Sequence, residues 1–265
     1  YTSYPTAPQF HQAFAVDDYQ QAAAASNQAA TPKPLSLYIH IPFCKSLCYY
    51  CACNKIITQK THRAAEYLSY LKREIAMQAA LFDRSRTLTQ LHLGGGTPTY
   101  LTREQLADLM DCLHQAFVMD DSDNHEFSIE VDPRTIDTEQ IQALRGLGFN
   151  RLSFGVQDFD PDVQAAVNRV QSEEQIYALV AAARAARFKS VSVDLIYGLP
   201  KQNLEGFAKT IDTVLSAKPD RFAVYAYAHL PQMFKAQRQL NAADLPMIMR
   251  ISDLPSRYRK HFLGA

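Results

Sequence analysis

Short apolar runs alternate along this chain with longer amphipathic stretches. Residues 35–42, 90–94, 127–131, 151–156, 190–197 and 222–229 are rich in Val, Ile, Leu, Phe and Tyr and read as strands. Between them, residues 65–82, 103–117, 138–146, 161–170, 173–186 and 204–217 carry apolar positions at helical spacing, several opened by Asp or Thr and closed by Gly or Lys. Strand and helix therefore repeat as a unit. Alternation on this scale predicts parallel strands joined by right-handed crossovers, and its even cadence predicts an α/β fold built on a complete or partial (β/α)6 barrel. An open doubly wound sheet is the structural alternative. Residues 1–34, rich in Ala, Gln and Tyr, read as an N-terminal arm outside the barrel; 35–231 read as the barrel and 232–265 as a tail.

In strand-helix folds ligands sit over the carboxyl ends of the strands, and the chemically conspicuous residues gather there. A cysteine-rich loop follows the first strand and Gly94-Gly95-Gly96 the second; Glu130 and Asp132 end the third, Gln157 and Asp158 the fourth, and Asp194 lies within the fifth. Four of the five cysteines fall between Cys44 and Cys53, in the order Cys44-x3-Cys48-x2-Cys51-x-Cys53. Thiolate sulfur is a soft ligand suited to iron–sulfur clusters, zinc and copper(I). Positions 44, 48 and 51 would also fit a helical core stripe, but a structural zinc site usually draws its ligands from two separated pairs, and the chain has no second pair. A chain of 265 residues can bury a core without disulfide staples. The spacing favours an iron–sulfur cluster with one iron left open to a small molecule, and Cys53 stands too close to Cys51 to ligate comfortably beside it. Cys112, in a helix, reads as a small buried hydrophobe.

Composition narrows the partners. The chain is 47% hydrophobic and 20% charged with a formal net charge of zero, which provides no electrostatic footprint for nucleic acid or membrane. No apolar run is long enough to span a bilayer, and free thiols suit a reducing cytoplasm. The first residue is Tyr1, so a preceding segment stays open.

Several phrases carry a family resemblance: Tyr-Thr-Ser-Tyr-Pro-Thr at 1–6, Tyr-Ile-His-Ile-Pro-Phe-Cys at 38–44, Cys53 with Asn54 and Lys55, Gly-Gly-Gly-Thr-Pro-Thr at 94–99, Ser-Ile-Glu-Val-Asp-Pro at 128–133 and Asp-Leu-Ile-Tyr-Gly-Leu-Pro at 194–200. In this order they resemble the oxygen-independent coproporphyrinogen III oxidases of the radical S-adenosylmethionine (SAM) superfamily. The resemblance implies a 4Fe-4S cluster held by Cys44, Cys48 and Cys51, with SAM, in one or two copies, as cofactor. It implies cofactor contacts from Tyr38, Tyr50, Cys51, Ala52, Gly96, Thr97, Pro98, Glu130, Gln157, Arg169, Asp194 and Ala228, and catalytic roles for Cys53 and His40. Tyr1, Tyr4 and His229 are further substrate candidates. Read without the resemblance, Glu130 and Asp194 would be salt-bridge or capping groups, Gln157 and Arg169 surface residues, and Tyr38 strand core. The implied reaction is the anaerobic oxidative decarboxylation of two propionates of coproporphyrinogen III to vinyl groups through a 5′-deoxyadenosyl radical, with an unidentified electron donor and acceptor and a monomeric enzyme. A related heme chaperone or a heme-modifying radical enzyme is the alternative. The resemblance stops near residue 246, so the helical C-terminal domain of the family is expected to be largely absent, and the cluster Arg-Tyr-Arg-Lys at 257–260 has no counterpart.

Overall fold

The computed structural model describes residues 9–247 and 251–258. Tyr1, Tyr4 and part of the 257–260 cluster lie outside the described residues. The strands are β1 (Leu35–Ile41), β2 (Phe43–Cys44), β3 (Ile56–Ile57), β4 (Thr87–Gly95), β5 (Val118–Met119), β6 (Glu126–Val131), β7 (Arg151–Gln157), β8 (Ser190–Tyr197) and β9 (Arg221–Ala226). The helices are α1 (Val16–Asn27), α2 (His62–Ala79), α3 (Arg103–Ala116), α4 (Thr138–Gly146), α5 (Pro161–Ala166), α6 (Glu173–Ala185) and α7 (Leu204–Ser216).

All six expected strands join one parallel sheet in the order β1-β4-β6-β7-β8-β9, with the short β5 beside β4. The order is sequential. A doubly wound sheet would reverse direction at a switch point, whereas a sequential parallel sheet curls into a barrel. β1 and β9 end the order, so among the described residues the barrel is partial, open between them.

Alternation along each strand sorts its side chains into two environments. Ile39 and Ile41, Leu91 and Leu93, Ile129, Phe154, Val193 and Leu195 are buried on the face covered by helices, where they meet Leu68, Leu109, Leu113, Ile141, Leu179 and Phe207. The opposite face carries Tyr38, His92, Glu130, Ser153, Asp194 and Tyr225, all at least partly open. Tyr38 is thus not in the strand core, where it would have been read without the resemblance. Its side of β1 points inward, its ring stacks on His92 at 5.7 Å, and the residue is 55% exposed.

Helix starts are set by side chains. Thr102 and Asp137 complete reciprocal capping boxes with Gln105 and Gln140, and Ser172 and Asn203 accept from backbone N–H groups in the first turns of α6 and α7. α5 stops at Ala166 instead of continuing to 170 because Asn168 takes a left-handed backbone, φ 55°. β9 stops at Ala226, leaving Ala228 and His229 in the following loop.

Two further segments close around this frame. α1, which the hydrophobic pattern did not predict, lies against the α2–β4 junction: Asn27 donates to the Leu81 carbonyl at 2.8 Å, and Arg86 donates to Ser26 Oγ and Asn27 Oδ1, each at 2.8 Å. From the tail, Leu254 and Tyr258 enter the main core, and the Tyr258 hydroxyl donates to Asp212 at 2.7 Å. Cys112 is only half-buried, packed at the edge of the core.

Candidate active site

The cysteine loop is pinned at both ends. β2 and β3 pair in parallel, Phe43 with Ile56 and Cys44 with Ile57, so the chain leaving β1 returns beside itself after one loop. Ile56 N–H donates to the Pro42 carbonyl at 2.7 Å and Thr58 N–H to that of Cys44 at 3.0 Å. The far side of the loop rests on the end of α5, where Tyr49 N–H meets the Val167 carbonyl at 3.0 Å and Asn168 Nδ2 the Leu47 carbonyl at 2.7 Å. Lys55 Nζ donates to the Cys51 carbonyl at 2.8 Å.

Opposite this loop, Gly95 turns the chain at φ +113° and Gly96 approaches the loop closely. A Cβ on Gly96 would lie 2.7 Å from the carbonyl carbon and oxygen of Pro42, so only glycine fits there without moving backbone. Gly95 N–H donates to Glu130 Oε2 at 3.2 Å, while His92 Nε2 meets Glu130 Oε1 at 3.1 Å and its Nδ1 meets Ser128 Oγ. Gln157 ends β7 with φ +71°, next to a register irregularity against β8. A left-handed glutamine is a sparsely populated backbone state, of the kind that collects at functional positions.

A cavity of about 250 Å³ lies over these strand ends. Its walls bring together Cys44, Cys48, Tyr50, Cys51, Cys53, Gly96, Thr97, Pro98, Glu130, Gln157, Arg169 and Asp194. Four expected residues lie apart from it. Tyr38 and His40 border a neighbouring groove between β1 and α2, with the Tyr38 hydroxyl 3.0 Å from His40 Nδ1 and His40 Nε2 2.8 Å from the Asn54 carbonyl. Ala52 is exposed, and the Ala228 carbonyl, outside the cavity wall, accepts from Gln237.

The electrostatics are uneven. Hydrogen bonding from Cys53, helped by Lys55 and opposed by burial, lowers the Cys51 thiol to about 6, and the same bond pushes Cys53 far up. Burial raises Cys44. Burial also lifts Asp194 to about 6, against the Ser153 hydroxyl that donates to it at 3.0 Å. For Asp132, burial favours the neutral acid, but Arg169 and Arg134 outweigh it and keep the carboxyl below its ordinary value. Arg169 is buried and reaches Cys48 Sγ at 3.4 Å, Asp132 Oδ2 at 3.3 Å and the Gly155 carbonyl; among the described residues its Nε has no partner.

Two contributors escaped the sequence analysis. Gln237, 1% exposed, donates to the carbonyls of Tyr50 and Ala228 and accepts from Leu230 N–H, fastening the cysteine loop to the segment after β9. Arg134 grips Asp132 and touches Cys48. Neither belongs to a hydrophobic period, and the only signal for Arg134 is its place two residues after Asp132, which follows β6.

Among the described residues no group of three or more His, Cys, Asp or Glu side chains is gathered as a single metal ion requires. The three thiols instead stand around one cavity, an arrangement suited to a bulky centre gripped at its corners. The orphaned Nε of Arg169, a residue of the cavity wall, likewise fits a site shaped for an anionic group. A family model described as the radical SAM superfamily matches residues 38–214.

The chain belongs to the radical SAM superfamily.

Membership implies a 4Fe-4S cluster and SAM as cofactors. Among curated relatives, the oxygen-independent coproporphyrinogen III oxidase of Pseudomonas aeruginosa is 50% identical over 246 residues, covering 93% of this chain and 53% of the relative. That of Escherichia coli is 51% identical over 246 residues, covering 93% and 52%. The chain spans about half the length of the curated relatives it matches. The solved coproporphyrinogen III oxidase from Escherichia coli, described as a radical SAM enzyme, superimposes with a TM-score of 0.89 at 49% identity, over 99% of this chain and 59% of that one. A radical SAM methyltransferase from Kitasatospora setae, 13% identical with a TM-score of 0.55, shares the fold alone. Among the described residues no helix is long and apolar enough to cross a membrane.

Proposed function

We propose that this chain is the barrel portion of an oxygen-independent coproporphyrinogen III oxidase, which decarboxylates two propionates of coproporphyrinogen III to vinyl groups and yields protoporphyrinogen IX. The observation that carries the reading is the convergence of three thiols, a glycine approach and four ligand-type polar side chains on one cavity, in a chain half identical to such oxidases. Cys44, Cys48 and Cys51 would hold the cluster by three irons, leaving the fourth open to SAM. When bound, the two cofactors supply the one-electron chemistry that removes a hydrogen atom from the substrate. The chain contributes position and charge. Gly96 brings its backbone to the cavity wall, Glu130 offers a carboxylate braced by Gly95 and His92, and Arg169 offers a buried cation for a carboxylate. Tyr50, Ala52, Thr97, Pro98, Gln157, Asp194, Tyr38 and Ala228 belong to the same binding surface in this reading, with a second SAM as an extension of it. Cys53 lines the cavity beside Cys51 and would act there without ligating iron, and the Tyr38–His40 pair, in the neighbouring groove, is assigned to the substrate in this reading. An electron donor and acceptor, a monomeric state and a reducing cytoplasm complete the proposal.

Anaerobic reconstitution with iron and sulfide, followed by reductant, SAM and coproporphyrinogen III, tests it. Deoxyadenosine and protoporphyrin are expected, and Cys48→Ala is expected to lose both iron and turnover. Zinc in place of iron, or deoxyadenosine formation undiminished by Cys48→Ala, refutes the assignment.

A further inference from the structure

The sulfurs of the trio differ in their surroundings. Thr97 Oγ1 donates to Cys44 Sγ at 3.4 Å, while on the Cys51 side Lys55 Nζ donates to the Cys51 carbonyl at 2.8 Å. Cys48 differs, because two guanidiniums converge on it, Arg134 Nη2 and Arg169 Nη1, each at 3.4 Å. Arg169 already has a part in the proposed cofactor site. Arg134 has none, yet it is held more firmly than a surface arginine. It sits on the single turn Pro133–Thr135 directly after β6. Its backbone N–H donates to Asp132 Oδ1 at 3.1 Å, its Nε to the same oxygen at 3.0 Å and its Nη2 to Oδ2 at 2.7 Å, while Nη1 reaches the Asn168 carbonyl at 3.4 Å. The Asp132 side chain is 10% exposed and that of Arg134 18%. A planar fork gripped at both oxygens leaves little rotamer freedom, so the direction of the N–H bond toward Cys48 is set by the fold.

We propose that Arg134, braced by Asp132, is a positioning residue that donates an N–H···S bond to the Cys48 thiolate and thereby raises the reduction potential of the cluster this thiolate holds. The inference rests on the cluster reading above. Reduction adds negative charge that spreads onto the ligating sulfurs, and a fixed cation with a donor aimed at one of them favours the reduced state. Partial burial keeps water from screening the effect. Cys44, by contrast, receives a neutral hydroxyl, and Lys55 beside Cys51 turns its ammonium to the carbonyls of Cys51 and Cys53, so Cys48 is the sulfur at which guanidinium N–H groups are aimed.

The test compares wild type, Arg134→Gln and Arg134→Lys after anaerobic reconstitution, reading the midpoint potential by redox titration followed with electron paramagnetic resonance, together with iron content and thermal unfolding. Arg134→Gln is expected to keep its cluster and shift the potential to more negative values. Arg134→Lys retains the charge without the fork and is expected to fall between; should Arg134→Gln not fold, it carries the comparison alone. Potentials equal to wild type in the folded variants overturn the inference whatever happens to turnover. A wild type that takes up no iron overturns the cluster reading itself, so the two failures are distinguishable.

Discussion

Asp194 shows how a single buried group can work against the stability of its own fold. Burial lifts its carboxyl from an ordinary 3.8 to about 6. Between those values the folded chain binds a proton that the unfolded chain has lost, so stability falls as pH rises through the window and is level above it. Asp194→Asn, which can still accept from Ser153, is expected to be more stable than wild type at pH 7 to 8. About 3 kcal/mol is the upper bound, because the carboxylate keeps some contact with water. The advantage should vanish near pH 4, and urea unfolding across that range checks both ends. Gly96 poses the opposite problem, a contact with no slack. Gly96→Ala would press a methyl against the Pro42 carbonyl, and the required shift of β1 or β4 is expected to cost about 1 to 3 kcal/mol by the same measurement. The role of Gly96 was visible as a triple glycine after a strand, whereas the left-handed backbone at Gln157 was not, since nothing about glutamine marks that conformation.

At the scale of elements, long amphipathic segments were legible almost to the residue. Ser190–Tyr197 and Thr138–Gly146 match the expected ranges, the first because most of its positions are buried and Gly198 follows it, the second because Asp137 caps its start. α1 was missed for a physical reason: Ala23 is its only buried residue, and the helix docks by polar bonds from Asn27, Ser26 and Tyr19, which create no apolar stripe. β2 and β3 are two residues each, too short for any period, yet they close the cysteine loop. The other fastening of that loop is Gln237. Replacing it with Leu would strand the carbonyls of Tyr50 and Ala228 and the N–H of Leu230. A loss of about 2 kcal/mol or more is expected, with faster hydrogen exchange at Leu230 as the local signature.

For the molecule as a whole, the decisive feature is a parallel sheet with helices on one face and a polar, open hollow on the other. The tail helps hold the covered face. Tyr258 is 1% exposed within the main core, and Tyr258→Ala is expected to lower stability by about 3 to 5 kcal/mol in thermal or urea unfolding. Tyr258→Phe should cost far less, losing the bonds its hydroxyl makes with Asp212 and Arg257. Alternating apolar periods were enough to specify strand-helix repeats, because burial of one face per element is a local property written into side-chain spacing, but the choice between a barrel and a doubly wound sheet came with the strand order. The cysteine spacing and the motif residues likewise pointed to one kind of chemistry, since soft ligands and glycine turns are recognisable one by one. Folding alone decided that Cys44, Cys48 and Cys51 share a wall with Glu130, Arg169 and Asp194, that Tyr38 faces inward, and that Arg134 reaches Cys48 across 86 positions of chain. Such neighbours are set by sheet register and strand order, and proximity between residues far apart along a chain leaves no periodic trace in it.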